Sequence, residues 1–405
     1  MTERRRQLLG VAAVCLLLGD LVAQVTRGVW NMAAGAGTST DWITFAAAAR
    51  LVAHGSSCLY YARCIVASQA AYMGQALSSG AARDLGATTL PSGAAYSPFV
   101  NPPPAAAVLV PLAVLPPTVG FLLFALISVA AIAAAGRLLV TRLGCPPFAT
   151  ALAVLAVPGV LGLALGQWDA LLTLALVLGL WSAHRHPLLA GVALSALIVK
   201  PQCLWLVPVA LLVLRNFRVL LSLAAALLLW AVASLAMVGP SQFAALISAI
   251  SIDGSSQLGM SLGLPGLVAS AAGVHAAYAA TAVGALLVVA AAVRFRDRLR
   301  AWPELTVALS VCLSLVLSPH VLCPDFVLLA PALALSARRR PRLSMAASVV
   351  LSVAFLFDLS LSTPSVILGV LAIVVATVVS AMTLVQGEVT PRSATPAAAA
   401  LNAAS

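Results

Sequence analysis

The sequence predicts an all-α integral membrane protein of about 12 transmembrane helices, roughly 11 to 13, each needing about 20 mostly apolar residues to cross a bilayer core of about 30 Å. Three observations carry that prediction. Hydrophobic residues make up 62% of the 405 and charged residues 8%, against about 25% charged in soluble chains. Mean hydropathy is +1.08. The positive charges sit in short clusters between apolar runs: Arg4–Arg6, Arg137 with Arg142, Arg215 with Arg218, the RFRDRLR run at 294–300, and Arg338–Arg340 with Arg342. That is the arrangement of cytoplasmic loops under the positive-inside rule. Val and Leu alone would also suit buried strands. The Ala content and run lengths favour helices, which pair every backbone group internally in lipid.

In chain order, residues 8–26 read as an uncleaved first span with the N-terminus inside, although the charged start followed by an apolar stretch has the look of a signal peptide. Residues 27–102 form the longest polar stretch and the first exterior loop. Within it, 41–54 and 65–79 are candidate short helices, the latter lying along the membrane surface. Residues 103–136 are too long for one simple span and are broken at Pro116-Pro117. They read as one crossing with an elbow or as two. Spans follow near 148–165 and 168–182, then two short runs, 188–199 and 201–214, flank Lys200-Pro201. Further spans lie near 219–238, 271–292, 304–318, 321–336, 343–357 and 364–385, with 239–270 as a second exterior loop. Residues 1–386 thus read as one membrane domain. The tail 387–405 is rich in Ala, Pro and Thr and reads as a disordered cytoplasmic segment.

The net charge of +11 does not indicate nucleic acid. No basic stripe with interleaved aromatics is present, and lysine occurs once, at Lys200. Counting from an interior N-terminus puts 294–300 and 338–342 inside, in agreement with their charge. The same count gathers Asp20, Asp41, Gln167, Asp169, Lys200, His320 and Asp325 at exterior helix ends. A charged side chain deep in a membrane helix costs about 2.5–3.5 kcal/mol on insertion scales. Their gathering on one face therefore points to a cleft there, or else to ordinary hydration of loop ends. Asp41 is a candidate general base and equally a helix N-cap. Lys200 is a candidate phosphate ligand or a snorkelling side chain. Arg50 and Arg63 stand in an exterior loop against the positive-inside trend, which makes them candidates for an anionic ligand or simply solvated. His320, in the turn SPHVLCPD, is a candidate donor to a phosphate or a sugar hydroxyl, or a helix-end histidine bonded to a carbonyl.

Walker A, GxGxxG, HEXXH and nucleophile-elbow patterns are absent, and so is any four-residue oxygen-rich metal pattern. No metal site and no cofactor is assigned. Cys58 and Cys64 both fall in the first exterior loop, as a disulfide in an oxidising exterior or as two free thiols.

Six segments together resemble the bacterial polyprenol-phosphate-mannose-dependent α-1,2-mannosyltransferases, a GT-C-type family (glycosyltransferase family 87) common in actinobacteria. They are DWITFAAAARLVAHGSSCLY at 41–60, YSPFVNPPPAAAVLVPLAVLP at 96–116, GQWDALL at 166–172, AGVALSALIVKPQCLWLVPVALLVLR at 190–215, GMSLGLPGL at 259–267 and SPHVLCPDFVLLAPAL at 318–333. The third carries Asp169 where the family usually has Asn. In the sixth, the histidine directly follows Ser-Pro, where the family's falls several residues later and this chain has Pro324-Asp325. The resemblance implies a GT-C-like fold and a multi-pass cell-membrane location with the active site on the extracytoplasmic side. It implies a polyprenyl-phosphate-mannose donor and a glycolipid or lipoglycan acceptor held at the bilayer. Transfer would invert the anomeric carbon. Asp41 would be the general base, and Lys200, His320, Arg50, Arg63, Gln167 and Asp169 would bind the donor phosphate or sugar. Tyr60, Tyr96 and Ser261 would be acceptor-side or loop positions, and the prenyl tail would follow an apolar groove between helices.

Besides an inert structural or scaffold membrane protein, two other classes stay open. One is a GT-C transferase of another polyprenyl-phosphate sugar, such as arabinose. The other is a lipid or solute transporter, a class that also uses broken helices but puts its polar residues at mid-membrane depth.

Overall fold

The computed structural model describes residues 15–16, 18–30, 41–74, 98–258, 261–356 and 363–385. Within them the chain is all-α. Helix α1 covers 18–30. The first loop holds α2 (Asp41–Ala53) and α3 (Ala62–Tyr72), close to the two short helices predicted there. The difficult block is two helices, α4 (Pro103–Ala113) and α5 (Pro117–Thr141), parted at Pro116-Pro117. Next come α6 (Pro147–Val154), α7 (Val157–Leu165), α8 (Asp169–Ser182) and α9 (Pro187–Ser195). Two 3₁₀ turns, Ala196–Val199 and Pro201–Cys203, surround Lys200 and lead to α10 (Val207–Val213) and α11 (Phe217–Val238). The stretch read as a second exterior loop carries α12 (Ser241–Gln257) and α13 (Leu264–Ala272). Then follow α14 (Val274–Arg294), α15 (Arg296–Ala301) and α16 (Pro303–Val316), a 3₁₀ stretch Cys323–Leu329, α17 (Ala330–Ala337), α18 (Pro341–Leu356) and α19 (Thr363–Val385). The tail 387–405 and Tyr96 lie outside the described residues.

The expectation of about twelve spanning helices needs correction. Among the described residues, three helices are long and apolar enough to cross a bilayer: α5, α11 and α14. The pair α6 and α7, bent by 44° at its break, makes a fourth if counted as one span. Apart from α19, which runs 23 residues, the remaining apolar helices run 10–17 residues. At about 1.5 Å per residue, these are too short to cross alone. The cause is local. Proline fixes φ and lacks an N–H, so it starts a helix well and continues one badly. Pro103, Pro117, Pro147, Pro187, Pro303 and Pro341 each open a helix. Lys200-Pro201 and Pro324 fall where α-helix gives way to 3₁₀ turns.

Burial sorts the helices. On α11, Leu221, Leu228 and Leu229 are exposed, and on α14 Leu286 and Leu287 are too. Such continuous apolar faces belong against lipid rather than water. By contrast every residue of α17 is buried, and α16 is buried along most of its length. These two form the centre, with α6, α18 and α19 around them. On the other flank α9 packs on α11, and α5 packs on α8. Gly191 permits the first contact, because a Cβ there would stand 2.5 Å from Leu223 N and Ser222 Cβ. Ser222 adds a hydrogen bond from its hydroxyl to Leu188 O at 2.9 Å.

Candidate active site

Helix α2 is anchored by its own composition. Residues 42–49 are all buried, and the Trp42 ring stacks on Phe124 of α5 with centroids 5.1 Å apart. The amide of Gln69 donates to Thr44 Oγ1 at 3.0 Å, and Ser68 Oγ donates to Ala47 O at 2.9 Å, so α3 is tied along α2. Asp41 is the first residue of this fixed rod. A carboxylate there suits the positive end of the helix dipole.

Opposite α2, helix α7 ends at Gly166, whose φ of 72° is left-handed. The Gln167 N–H closes the turn on Gly162 O at 2.9 Å. Gln167 Nε2 then donates to Asp41 Oδ2 at 2.5 Å. Two residues on, Asp169 opens α8 and accepts from Lys200 Nζ at 2.8 Å. The same ammonium donates to Asp325 Oδ1 at 2.5 Å, and Asp325 Oδ2 accepts from Leu322 N at 2.9 Å. The Asp169 and Asp325 side chains are 2% and 1% exposed and that of Lys200 is 11%. Charges so buried persist only when paired. Lysine has three N–H donors, and the two carboxylates take two of them.

His320 lies in the turn between α16 and the Cys323–Leu329 stretch. Ser318 Oγ donates to His320 O at 3.0 Å and accepts from His320 N at 3.1 Å. The next residue is held by the fifth motif: Val321 N donates to Ser261 Oγ at 3.0 Å, and Leu262 N donates to Val321 O at 2.8 Å.

One cavity of about 500 Å³ is lined by Asp41, Gln167, Lys200, His320 and Asp325, together with Thr44 and Asn101. Five residues of the polar set gathered from sequence therefore meet in one place: Asp41, Gln167, Lys200, His320 and Asp325. Asp169 stands behind Lys200, and Ser261 supports the His320 turn from behind. The two arginines stand elsewhere. The Arg50 guanidinium lies over the Tyr72 ring at 5.5 Å and donates to Ala113 O at 3.4 Å, while that of Arg63 lies over Tyr61 at 5.7 Å. Neither lines the cavity. Both are in the first loop, where aromatic faces offer a partner for guanidinium.

Tyr60 is buried and stacks on Phe99 with centroids 6.0 Å apart. Its hydroxyl donates to Asn101 O at 2.9 Å, and burial holds it above the ordinary tyrosine range. Asn101 Nδ2 in turn donates to Val199 O at 2.8 Å, next to Lys200. Asn101 and Asp325 are the site residues that the candidate roles did not include. For Asn101 the signal was a lone carboxamide before three prolines. For Asp325 it was an acidic residue entering an otherwise apolar run. Cys58 and Cys64 are joined by a disulfide.

Beside this cavity lies an apolar one of about 280 Å³, walled by Tyr60, Trp230, Phe243 and Leu246 among others. Val100, Pro201 and Ile250 line both.

No curated protein and no solved structure matches the chain. The sequence model of glycosyltransferase family 87 matches residues 99–319. That span holds Asn101, Gln167, Asp169, Lys200 and Ser261. It stops one residue short of His320 and does not reach Asp41. The match decides between the classes left open, in favour of a glycosyltransferase over a transporter. Since it covers more than half of the 405 residues, the chain belongs to glycosyltransferase family 87 and is a membrane enzyme that uses a polyprenyl-phosphate sugar.

Proposed function

We propose that the enzyme moves mannose from polyprenyl-phosphate-mannose to a hydroxyl of a membrane glycolipid or lipoglycan, on the extracytoplasmic face, with inversion. The observation that carries this reading is the shared cavity: a carboxylate, Asp41, and an ammonium, Lys200, line one chamber, and Val100, Pro201 and Ile250 line both it and an apolar one beside it. A lipid-borne sugar phosphate complements these surfaces in one molecule. Its phosphate meets the remaining N–H of Lys200, its sugar fills the polar chamber, and the first part of its prenyl chain follows the apolar wall.

The reaction is a single displacement. The acceptor oxygen attacks the anomeric carbon while the bond from that carbon to the phosphate oxygen breaks, and the electron pair leaves with the phosphate. The acceptor proton passes to Asp41. A carboxylate is a weak base in the ground state. It takes the proton late, once bond formation has acidified the hydroxyl. The third N–H of Lys200, with His320, stabilises the charge growing on the leaving phosphate, where a fixed donor acts most strongly. Polyprenyl phosphate leaves readily, so no separate acid is required.

The extracytoplasmic assignment is supported by the Cys58–Cys64 disulfide, since such bonds persist in oxidising compartments. It is supported also by the basic clusters on the opposite loops. In this reading the shorter helices cross in pairs joined end to end. The polar breaks at Lys200 and Pro324 sit inside the protein, where irregular backbone can line a cavity.

The decisive experiment replaces Asp41 with Asn. The variant should fold and reach the membrane at wild-type level, yet transfer labelled mannose about 10²–10⁴-fold more slowly. Wild-type transfer would remove Asp41 from the role of base.

A further inference from the structure

Resting on that reading of Asp41, we propose that Gln167, carried by the Gly166 turn, is the positioning residue that aims the base. Three observations converge on it. First, Gln167 Nε2 donates to Asp41 Oδ2 at 2.5 Å across 126 positions of sequence. Only the amide nitrogen of Gln can donate to an ionised carboxylate, so the sense of the bond is fixed. It adds no charge to a cavity that already contains Asp325, Lys200 and His320.

Second, the backbone that presents Gln167 has little freedom. Gly166 sits at φ 72°, a region that residues with a Cβ rarely adopt. A Cβ at 166 would stand 2.7 Å from Trp42 Cβ. The turn is therefore seated directly on the first turn of α2, and its closure on Gly162 O sets the direction in which the Gln167 side chain leaves. Gln167 itself is 8% exposed and lines the chamber.

Third, the same turn holds the other partner. Asp169, two residues on, grips Lys200 at 2.8 Å. The base and the cation that would meet the phosphate are thus referred to one short segment, 166–169. That segment contacts both, while Asp325 holds Lys200 from its other side. Gln167 takes no proton and touches no reacting atom; it acts through Asp41.

The test uses the full-length protein in membranes, a short-chain prenyl-phosphate-mannose donor and a glycolipid acceptor, with Gln167→Leu and Gln167→Glu. Gln167→Leu should lower kcat about 10²-fold, the order lost when a reacting group is misplaced by about 1 Å, with KM for the donor unchanged. Gln167→Glu keeps the shape but puts a carboxylate against Asp41. Two carboxylates in contact share a proton. The acidic limb of kcat/KM should therefore move up by about one pH unit or more. His320, Lys200 and Asp325 are common to both enzymes, so the difference between the profiles reads Gln167. A kcat within about twofold of wild type in Gln167→Leu, or superimposable acidic limbs in Gln167→Glu, overturns the proposal. Should the Leu variant fail to fold, the Glu profile decides alone. Asp41→Asn separates the two levels: if that variant transfers normally, the base assignment falls and this proposal with it. If it is inactive while the Gln167 variants behave as wild type, only the positioning role falls.

Discussion

Lys200 shows how far one side chain's role depends on its neighbours. As the sole lysine in the chain, it reads from sequence as a phosphate ligand or a snorkelling group. In the fold it is the hub of a buried Asp169–Lys200–Asp325 triad that joins the start of α8, the 3₁₀ break and the stretch after His320. Removing one partner of a buried ion pair costs about 3–5 kcal/mol, because the other charge is stranded. Lys200→Met should therefore lower the melting temperature of the detergent-solubilised protein markedly. The triple change Lys200→Met, Asp169→Asn, Asp325→Asn removes the stranded charges. It should recover much of that stability without recovering transfer, if Lys200 serves the phosphate as well as the scaffold. Recovery of both would assign the triad to structure alone. Arg50 and Arg63, in contrast, were drawn to aromatic faces within the first loop. Charge sign marked them as unusual, but nothing in the sequence marked Tyr72 and Tyr61 as their partners.

At the scale of elements, the determining feature is interruption. Apolar composition marked where helices run, and the proline positions marked most of their starts. The cost of breaking a membrane helix is met where neighbours re-satisfy the freed backbone groups: Val199 O accepts from Asn101 Nδ2 beside one 3₁₀ break, and Leu322 N donates to Asp325 Oδ2 at the start of the other. Helix contacts are also set by small residues, as elsewhere in membranes. Gly191 is one: a Cβ would meet Leu223 N and Ser222 Cβ at 2.5 Å. Gly191→Ala should cost about 1–3 kcal/mol by overpacking the α9–α11 contact, seen as a lower melting temperature. An unchanged melting temperature would mean that the two helices separate freely. Helix existence was legible because a run of apolar residues is a local property. The division of the runs into pieces of 10–17 residues was only partly so. Whether a proline kinks a span or ends it depends on what packs against the break.

At the scale of the molecule, the prediction concerns which side the site faces. With Cys58 and Cys64 bonded to each other and the first loop outside, a membrane-impermeant maleimide should label neither in intact cells. After reduction with an impermeant phosphine it should label both. Labelling of these two residues only after the cells are opened would turn the site toward the cytosol and end the proposed use of an extracytoplasmic donor. The free cysteines Cys145, Cys203, Cys312 and Cys323 are buried and serve as internal negatives.

What the sequence determined by itself is what depends on composition and near neighbours. It determined that the chain lives in lipid, that it is helical, which loops carry positive charge, and which few polar residues stand near apolar runs and ask for a reason. The family, too, was legible from the order of six short motifs. What only the tertiary structure decided is which polar residues meet. Asp41 and Gln167 are 126 positions apart and Lys200 and Asp325 are 125 apart. Such pairings are made by helix packing, and the sequence holds no local record of that packing. A buried charge announces that it needs a partner, but the partner is chosen by the fold.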